Sequence, residues 1–238
     1  MKWLNAIACA VAVSVAVVSF AASPVTVCNG RTPLYNTYSP EGKLQYSETA
    51  SFRISNDSTY VYMAQTGAGE PGRSELRYYI YGRKLWIPMR SNLQALSDEL
   101  CRETVQTGDS DMRIGITDMS GSDLYVPFDV REGDKLVEAA TTCRMRVSDD
   151  TGRSVDMPAM SIKMKGEVLA PRRIATPAGD FDCLAVRISV RVKMSIVSMT
   201  EYMILYFVPD TGMVVREESV TRKGDISEYM QLESLPEP

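Results

Sequence analysis

The side chains that could carry out catalysis are carboxylates, because the sequence contains no histidine. Histidine is the usual general base and a common zinc ligand, so its absence removes Ser-His and Cys-His nucleophile arrangements. Two acid pairs lie in turn-like segments, Asp109 with Asp111 and Asp118 with Asp123. Such pairs could bind calcium or serve a glycosidase, but no Asp-x-Asp-x-Asp-Gly loop is present. We interpret them as solvated loop acids and predict a protein that is not an enzyme, without cofactor or metal, with a carboxylate-dependent glycosidase as a less favoured alternative.

One glycine-rich segment, from Gly67 to Gly72, matches the G-x-G-x-x-G pattern of dinucleotide-binding loops. That motif works when a helix begins at the loop and its free amides face a pyrophosphate. Here Pro71 interrupts the segment, and the pattern of a strand follows from Ser74 to Tyr81. We therefore interpret it as a hairpin loop.

The sequence begins with the features of a secretory signal peptide. Lys2 precedes an apolar run from Trp3 to Val18, and small residues precede a cleavage position after Ala21. The apolar run is shorter than the ~20 residues that a membrane-spanning helix needs. We predict a leader over 1–21, export to the periplasm or the cell surface or exterior, and no transmembrane span after cleavage.

Four cysteines remain in the mature chain, since Cys9 lies in the leader. They are Cys28, Cys101, Cys143 and Cys183. Their spacing contains no Cys-x-x-Cys, which argues against thioredoxin chemistry and a zinc ribbon. Exported proteins form disulfides, so we expect one or two, with three full pairings open and buried free thiols as the alternative. Lipidation of Cys28 is disfavoured, because the segment Val25-Thr-Val27 puts a β-branched residue where processing requires a small one.

Alternation of apolar and polar residues predicts that most of the mature chain is β-strand. From Leu184 to Met194 every second residue is apolar, while Arg, Ser and Lys fill the other face. Tyr202 to Val208 is apolar on both faces, which is typical of a central strand, and Pro209 ends it. Further strands are predicted at 44–54, 59–65, 76–81, 84–89, 111–118, 135–147, 160–168, 213–222 and 226–233.

One segment has helical spacing instead. Leu93, Leu96 and Leu100 recur at three and four residues, and Ser91 with Gln94 has capping-box spacing. We predict a short amphipathic helix over 91–104. The predicted fold is mainly β, a curved antiparallel sheet or half-barrel with this helix packed against it, forming a single domain over 22–238.

Positive charge is concentrated in one part of an acidic chain. Loss of Lys2 with the leader leaves 25 basic and 30 acidic residues, a net charge of −5, which disfavours nucleic-acid binding. Residues 140–200 nevertheless contain ten Lys/Arg and six Asp/Glu. A basic surface is therefore predicted at Arg144, Arg146, Lys163, Lys165, Arg187, Arg191 and Lys193. It could meet anionic lipid or glycan, or be a solvated strand face that discourages edge pairing.

The methionine content bears on function, because the mature chain carries thirteen. Those on apolar alternations include Met160, Met164, Met194, Met203 and Met213. Methionine fills irregular core gaps and also lines adaptable apolar pockets. We rank first an exported, non-catalytic protein that binds an apolar or amphiphilic, lipid-like ligand. The alternative is a structural or interaction protein whose tyrosines contact an envelope protein partner, with Tyr60, Tyr62, Tyr79 and Tyr81 as candidates.

Several landmarks resemble the TapB-like family of uncharacterised secreted bacterial proteins, one of the domain-of-unknown-function groups. They are Tyr35-Asn-Thr-Tyr38 with Gly42-Lys43, Val126-Pro127 with Arg131-Glu-Gly-Asp-Lys-Leu136, and Thr176-Pro-Ala-Gly-Asp-Phe-Asp-Cys183. The resemblance covers about residues 35–235. It implies a mainly β envelope protein of a Bacteroides-type bacterium, without assigned catalytic residues. Periplasmic lipoprotein carriers, in which a half-barrel holds lipid, are a weaker analogy of fold.

Overall fold

The structure, a computed structural model, describes residues 24, 28, 32–66, 75–89, 93, 113–149 and 151–235. Its elements are β1 Leu34–Tyr38, β2 Leu44–Ser55, β3 Ser58–Thr66, β4 Glu75–Tyr81, β5 Lys84–Ile87, β6 Arg113–Gly121, β7 Leu124–Pro127, β8 Ala139–Ser148, β9 Ser154–Asp156, β10 Met160–Thr176, β11 Gly179–Met194, β12 Val197–Val208, β13 Met213–Val220 and β14 Ile226–Ser234. The prediction of a mainly β protein is confirmed.

All fourteen strands belong to one antiparallel sheet, in the order β6-β8-β10-β11-β12-β13-β14-β1-β2-β3-β4-β5-β7, with β9 paired to β8. The sheet is open, with β6 and β7 as the two ends of the path. These two strands are consecutive in the chain, separated by residues 122–123, and run in the same direction. The sheet must therefore curve until its two ends approach each other at this link, which gives it a concave interior.

The alternating segment from Leu184 to Met194 forms most of β11, paired with β12 along its whole length and with β10 from Ala185 onward. The segment that is apolar on both faces lies in β12, where Leu205, Tyr206 and Phe207 are all buried. Alternation did not predict the short strands β1, β7 and β9, which have five, four and three residues. The predicted corner after Thr176 is a hairpin turn in which Gly179 has φ of +131° and pairs with Thr176.

Strand direction separates the turns into two groups. The turn of the β11–β12 hairpin, at 195–196, shares one end of the sheet with the turns at 221–225 and 39–43. We refer to this as the hairpin end. The turns at 56–57, 82–83, 177–178 and 209–212 lie at the opposite end, which we refer to as the packed end.

The interior at the packed end is filled by aromatic and branched side chains. Phe207 is completely buried, and its ring lies 5.8 Å from that of Phe128. The turn before β13 approaches this core so closely that a Cβ on Gly212 would come within 2.8 Å of Ile80 and Phe128. Its φ of +68° is also one that glycine adopts readily. The turn at 209–212 therefore closes this end of the curved sheet.

Two predictions fall largely outside the described residues. The leader over 1–21 is one of them. The helix predicted over 91–104 is the other, since only Leu93 of this segment is described and the rest lies outside the described residues. Within the described part of the chain, no helix has the length and apolar character that crossing a membrane requires.

Candidate functional site

A cavity of about 480 Å³ lies inside the curved sheet, in the half that faces the hairpin end. Side chains from nine strands line it, β1, β3, β4, β5 and β10 to β14, together with Met89 and Leu93. Glu201 lines the cavity and is also exposed, so the cavity reaches the surface beside β12. Ligand sites commonly have volumes of about 300–1,000 Å³, so this space is large enough for a small organic ligand.

Most of the cavity wall is apolar, and methionine is its most frequent residue. Met63, Met89, Met164, Met203 and Met230 all contribute. Aliphatic side chains complete the wall, namely Leu76, Leu85, Ile87, Leu93, Ile162, Val190, Val192, Leu205 and Val214. Unbranched, polarisable methionine side chains can adapt to the shape of an apolar ligand.

One side of the cavity carries charge, centred on Arg77. Arg77, Glu75 and Glu217 all line the cavity and are half-buried. The nearby carboxylates, Glu217 foremost, raise the pKa of Arg77, against the opposing effect of its burial. Glu48 also contributes to this field, and we refer to Arg77, Glu48, Glu75 and Glu217 as the Arg77 cluster.

A β-bulge explains why a charged residue faces an apolar cavity. In the pairing of β3 with β4, Val61 lies opposite Tyr78 and Tyr62 lies opposite Leu76, which leaves Arg77 without a partner in β3. Such an extra residue interrupts the alternation and redirects side chains. The alternation of 76–81 had placed Arg77 on the outer face. The bulge therefore brings into the site a residue that sequence periodicity could not identify.

Glu48 is the member of the Arg77 cluster that has a buried oxygen without a hydrogen bond. It lies opposite Tyr35, a cavity-lining residue, so both side chains project from the same face of the sheet. Burial raises the pKa of Glu48, Arg77 opposes that effect, and Glu217 adds to it. Its Oε2 atom is buried without a hydrogen-bond partner. A hydrogen-bond donor at this position would remove the cost of the unpaired oxygen.

Two buried tyrosines connect opposite walls below the cavity. The Tyr35 hydroxyl donates a hydrogen bond to the carbonyl of Val214 at 2.9 Å, and the Val214 amide donates to the Tyr78 hydroxyl at 3.3 Å. Burial raises the pKa of both phenols, so they remain neutral. They therefore act as fixed polar groups that hold β1, β4 and β13 in place.

The three cysteines that the structure describes are not paired. Cys28, Cys143 and Cys183 are free, buried thiols, and Cys101 lies outside the described residues. No disulfide is thus found in the described ranges, contrary to the expectation from export. Burial raises the pKa of Cys28 to about 11 and that of Cys183 to about 12. These thiols stay protonated and pack as small apolar groups.

The predicted basic residues lie on one face of neighbouring strands. Lys163 on β10 is directly opposite Arg191 on β11, and Lys193 is opposite Ser161. Lys165 and Arg187 follow on the same two strands, while Arg144 and Arg146 lie on β8, which pairs with β10.

Acids compensate part of this charge. Glu138 pairs with Lys163 at 3.3 Å and Lys165 at 3.0 Å, and Arg146 pairs with Asp156 at 2.6 Å. The cations nearest the hairpin turn, Arg191 and Lys193, are exposed. Arg191 donates a hydrogen bond to the Ser198 hydroxyl.

The other residues singled out from sequence have structural partners or lie outside the described ranges. Asp123 accepts hydrogen bonds from the Met89 amide at 2.9 Å and the Tyr79 hydroxyl at 3.4 Å. Asp118 lies opposite Arg144. The pair Asp109 and Asp111, and the glycine-rich loop at 67–72, are not among the described residues. In the described part of the chain, no group of three or more His, Cys, Asp or Glu is arranged to hold a metal ion.

Four aromatic rings form a row on the outer face of the sheet. Tyr60 stacks on Tyr79, Tyr79 on Trp86 and Trp86 packs against Tyr125, with centroid distances of 5.5, 5.7 and 4.8 Å. The Lys84 ammonium lies 4.4 Å from the centre of the Tyr125 ring. Two of the four candidate contact tyrosines thus belong to this row, whereas Tyr81 stands apart and is half exposed.

Comparison with protein-family models identifies the chain as a member of the DUF3108-like family, whose model matches residues 97–232. The expected membership of a domain-of-unknown-function group is thus confirmed. No curated protein matches the chain.

Two solved structures share the fold. A candidate exported protein with a YmcC-like fold from Bacteroides fragilis has a TM-score of 0.52 at 16% identity, over 87% of this chain and 96% of that chain. A candidate lipoprotein from Parabacteroides distasonis also has a TM-score of 0.52, at 17% identity, over 86% of this chain and 94% of that chain. At these identities the likeness concerns the fold alone.

Proposed function

We propose that this member of the DUF3108-like family is a non-catalytic envelope protein that binds a single-chain amphiphile inside its curved sheet. The observation that carries the proposal is the cavity of about 480 Å³, with a methionine-rich wall and one charged side. An acyl chain would lie against the methionines. Its polar head would meet the Arg77 cluster.

The charge balance of the cluster favours one type of head group. Three carboxylates, Glu48, Glu75 and Glu217, surround a single guanidinium, whose charge they already compensate. The unpartnered Glu48 oxygen requires a donor. A neutral or zwitterionic head group with hydroxyl or ammonium donors therefore fits better than a carboxylate, which would meet like charges at short range.

An envelope location follows from the predicted leader over 1–21 and agrees with the neighbouring structures, of which one is a candidate exported protein and the other a candidate lipoprotein. The periplasm, the cell surface and the exterior are all compatible with it. We further propose that the chain belongs to the TapB-like family, which the resemblance in sequence suggests.

The test is a calorimetric titration of the delipidated protein with a monoacylglycerol, a lysophosphatidylethanolamine and a fatty acid of equal chain length. We expect saturable binding of the first two and weaker binding of the fatty acid. The variant Val190→Trp places an indole in the cavity and should abolish binding without unfolding the protein. Its matched control is Val137→Trp, a position that is 64% exposed outside the cavity.

Two results would remove the proposal. One is the absence of binding by wild-type protein to all three amphiphiles below their critical micelle concentrations. The other is undiminished binding by Val190→Trp, which would place the ligand elsewhere on the molecule.

The aromatic row supports a second candidate, a protein-interaction surface, because Tyr60, Tyr79, Trp86 and Tyr125 are only half-buried and aromatic residues are enriched at interfaces. A specific partner should be cross-linked by wild-type protein and by Tyr81→Ser, but not by Tyr125→Ser. Equal cross-linking by all three would exclude the row as the contact.

A further inference from the structure

The turn of the β11–β12 hairpin is the most exposed apolar site among the described residues. Ile196 is 96% exposed, Val197 62% and Met199 52%. Single apolar residues are routinely exposed on protein surfaces, but three within four positions in and next to one hairpin turn form a cluster. The geometry of the turn does not require these apolar residues, because the residue with a positive φ is Ser195.

Further apolar side chains are exposed at the same end of the sheet. Leu44 begins β2, Ile226 begins β14 and Val155 lies on β9, and all three belong to the hairpin end. Of the nine large apolar side chains exposed in the described ranges, six therefore lie at this end. Ile54, Tyr81 and Val137 are the others. Exposed apolar surface is thus concentrated at the end into which the cavity faces.

The hairpin is amphipathic, with its apolar face continuous with the cavity wall. Val192 lines the cavity and lies opposite Met199, while Met194 lies opposite Val197. Directly opposed residues share one face of a sheet, so an apolar strip runs from the cavity out to the tip.

The other face of the hairpin is cationic. Lys193 lies opposite Ser198, and Arg191 lies opposite Thr200. Arg222 and Lys223 lie in the turn at 221–225 at the same end. Acids at the same end include Glu201, on the cavity face, and Asp225, whose amide donates a hydrogen bond to the Thr221 hydroxyl and whose carboxylate accepts one from it. Cations thus flank an exposed apolar tip.

We propose that the β11–β12 hairpin is a membrane-docking element that inserts its tip into the surface of an anionic lipid bilayer. Ile196, Val197 and Met199 enter the boundary between head groups and acyl chains, and Arg191 and Lys193 meet anionic head groups. Apolar insertion and basic contacts reinforce each other in this type of reversible binding. The apolar strip then places the cavity next to the bilayer.

Docking requires no occupied cavity, so its test is independent of the proposed ligand binding. The experiment is co-sedimentation of the protein with vesicles of phosphatidylcholine alone or mixed with phosphatidylglycerol. We expect binding to the mixed vesicles and little to the neutral ones. The double variant Ile196→Ser with Val197→Ser should bind the mixed vesicles about tenfold more weakly, because it removes the inserted apolar surface.

A matched control is Ile54→Ser, which removes an apolar side chain that is 60% exposed at the opposite end of the sheet. It should bind vesicles as wild-type protein does. Calorimetric titration with the soluble amphiphile should be unchanged in the double variant, which separates loss of docking from loss of the cavity.

The proposed contacts with anionic head groups are tested by the double variant Arg191→Gln with Lys193→Gln. Each removed cation should weaken binding to the mixed vesicles about fivefold. The control Arg173→Gln changes an exposed cation near the packed end. Three results would overturn the proposal: no binding of wild-type protein to mixed vesicles, equal loss in Ile54→Ser and the tip variant, or an undiminished preference for phosphatidylglycerol after both cations are removed.

Discussion

The two halves of the curved sheet are built from the same strands but are filled differently. Toward the packed end, Phe207 and Phe128 occupy the interior and the turn at 209–212 closes it. Toward the hairpin end, methionines surround a space of about 480 Å³, and Arg77 faces it together with Glu75 and Glu217. Rigid aromatic side chains specify a single packing, whereas methionine leaves a space whose shape can adjust. We therefore expect the packed half to determine stability, and the open half to determine the proposed ligand binding.

The largest expected effect is that of Phe207→Ala in the packed half. This side chain is fully buried, so its removal should lower the free energy of unfolding by about 3–5 kcal/mol. Urea denaturation followed by circular dichroism measures it. A loss no greater than that of a cavity-wall truncation would contradict the distinction between the halves.

The closing turn gives the next largest effect. Gly212→Ala combines a φ of +68° with a Cβ only 2.8 Å from Ile80 and Phe128, and should cost about 2–3 kcal/mol. Gly82→Ala is the matched control, because its φ is +57° but a Cβ there meets nothing within 4 Å. It should cost about 1 kcal/mol. Equal losses in thermal unfolding would show that the turn does not pack against the core.

Glu48→Gln tests the charged side of the open half. The raised pKa of Glu48 means that wild-type protein loses stability as pH rises through that pKa, whereas the amide carries no such cost. We expect Glu48→Gln to be more stable by about 1 kcal/mol at neutral pH, and to match wild type below the ordinary Glu pKa of 4.5.

Glu41→Gln serves as the opposite case, since a hydrogen bond from Ser39 lowers the pKa of this exposed carboxyl. It should give no gain at neutral pH. Thermal unfolding of both variants and wild type, measured from below pH 4.5 to neutral pH, tests these expectations. A Glu48→Gln protein less stable than wild type at neutral pH would show that Arg77 requires the charge of Glu48.

Met203→Ala should have the smallest effect on stability. Met203 borders existing empty space and is only partly buried, so we expect a loss below about 1 kcal/mol. Its effect on amphiphile affinity should be larger, several-fold in calorimetric titration. A stability loss comparable to that of Phe207→Ala would mean that the cavity wall is core.

The sequence predicted the sheet well where local pattern determines structure. The segment from Leu184 to Met194 alternates so regularly that a strand could be expected there, and it pairs with a neighbour on each side. The segment from Tyr202 to Val208 was expected to be a central strand, and it lies between β11 and β13. Pro177 and Gly179 marked a hairpin turn that the structure contains.

The site could be predicted only in part, because it depends on non-local pairing. Met164 and Met203 had been assigned to an inward face, and both line the cavity. Arg77 faces inward through a bulge that exists only once β3 and β4 are paired, and Glu48 faces inward because of its register with Tyr35. The expected disulfides are not shown among the described residues, where Cys28, Cys143 and Cys183 are each a buried free thiol, an outcome that cysteine spacing cannot reveal.

If the interior of this sheet holds an amphiphile, native mass spectrometry of protein purified from its own envelope should detect it. We expect a bound species of lipid mass on wild-type protein, released by organic solvent and missing from Val190→Trp but present on Val137→Trp. Wild-type protein that carries no adduct, or an adduct retained by Val190→Trp, would contradict it.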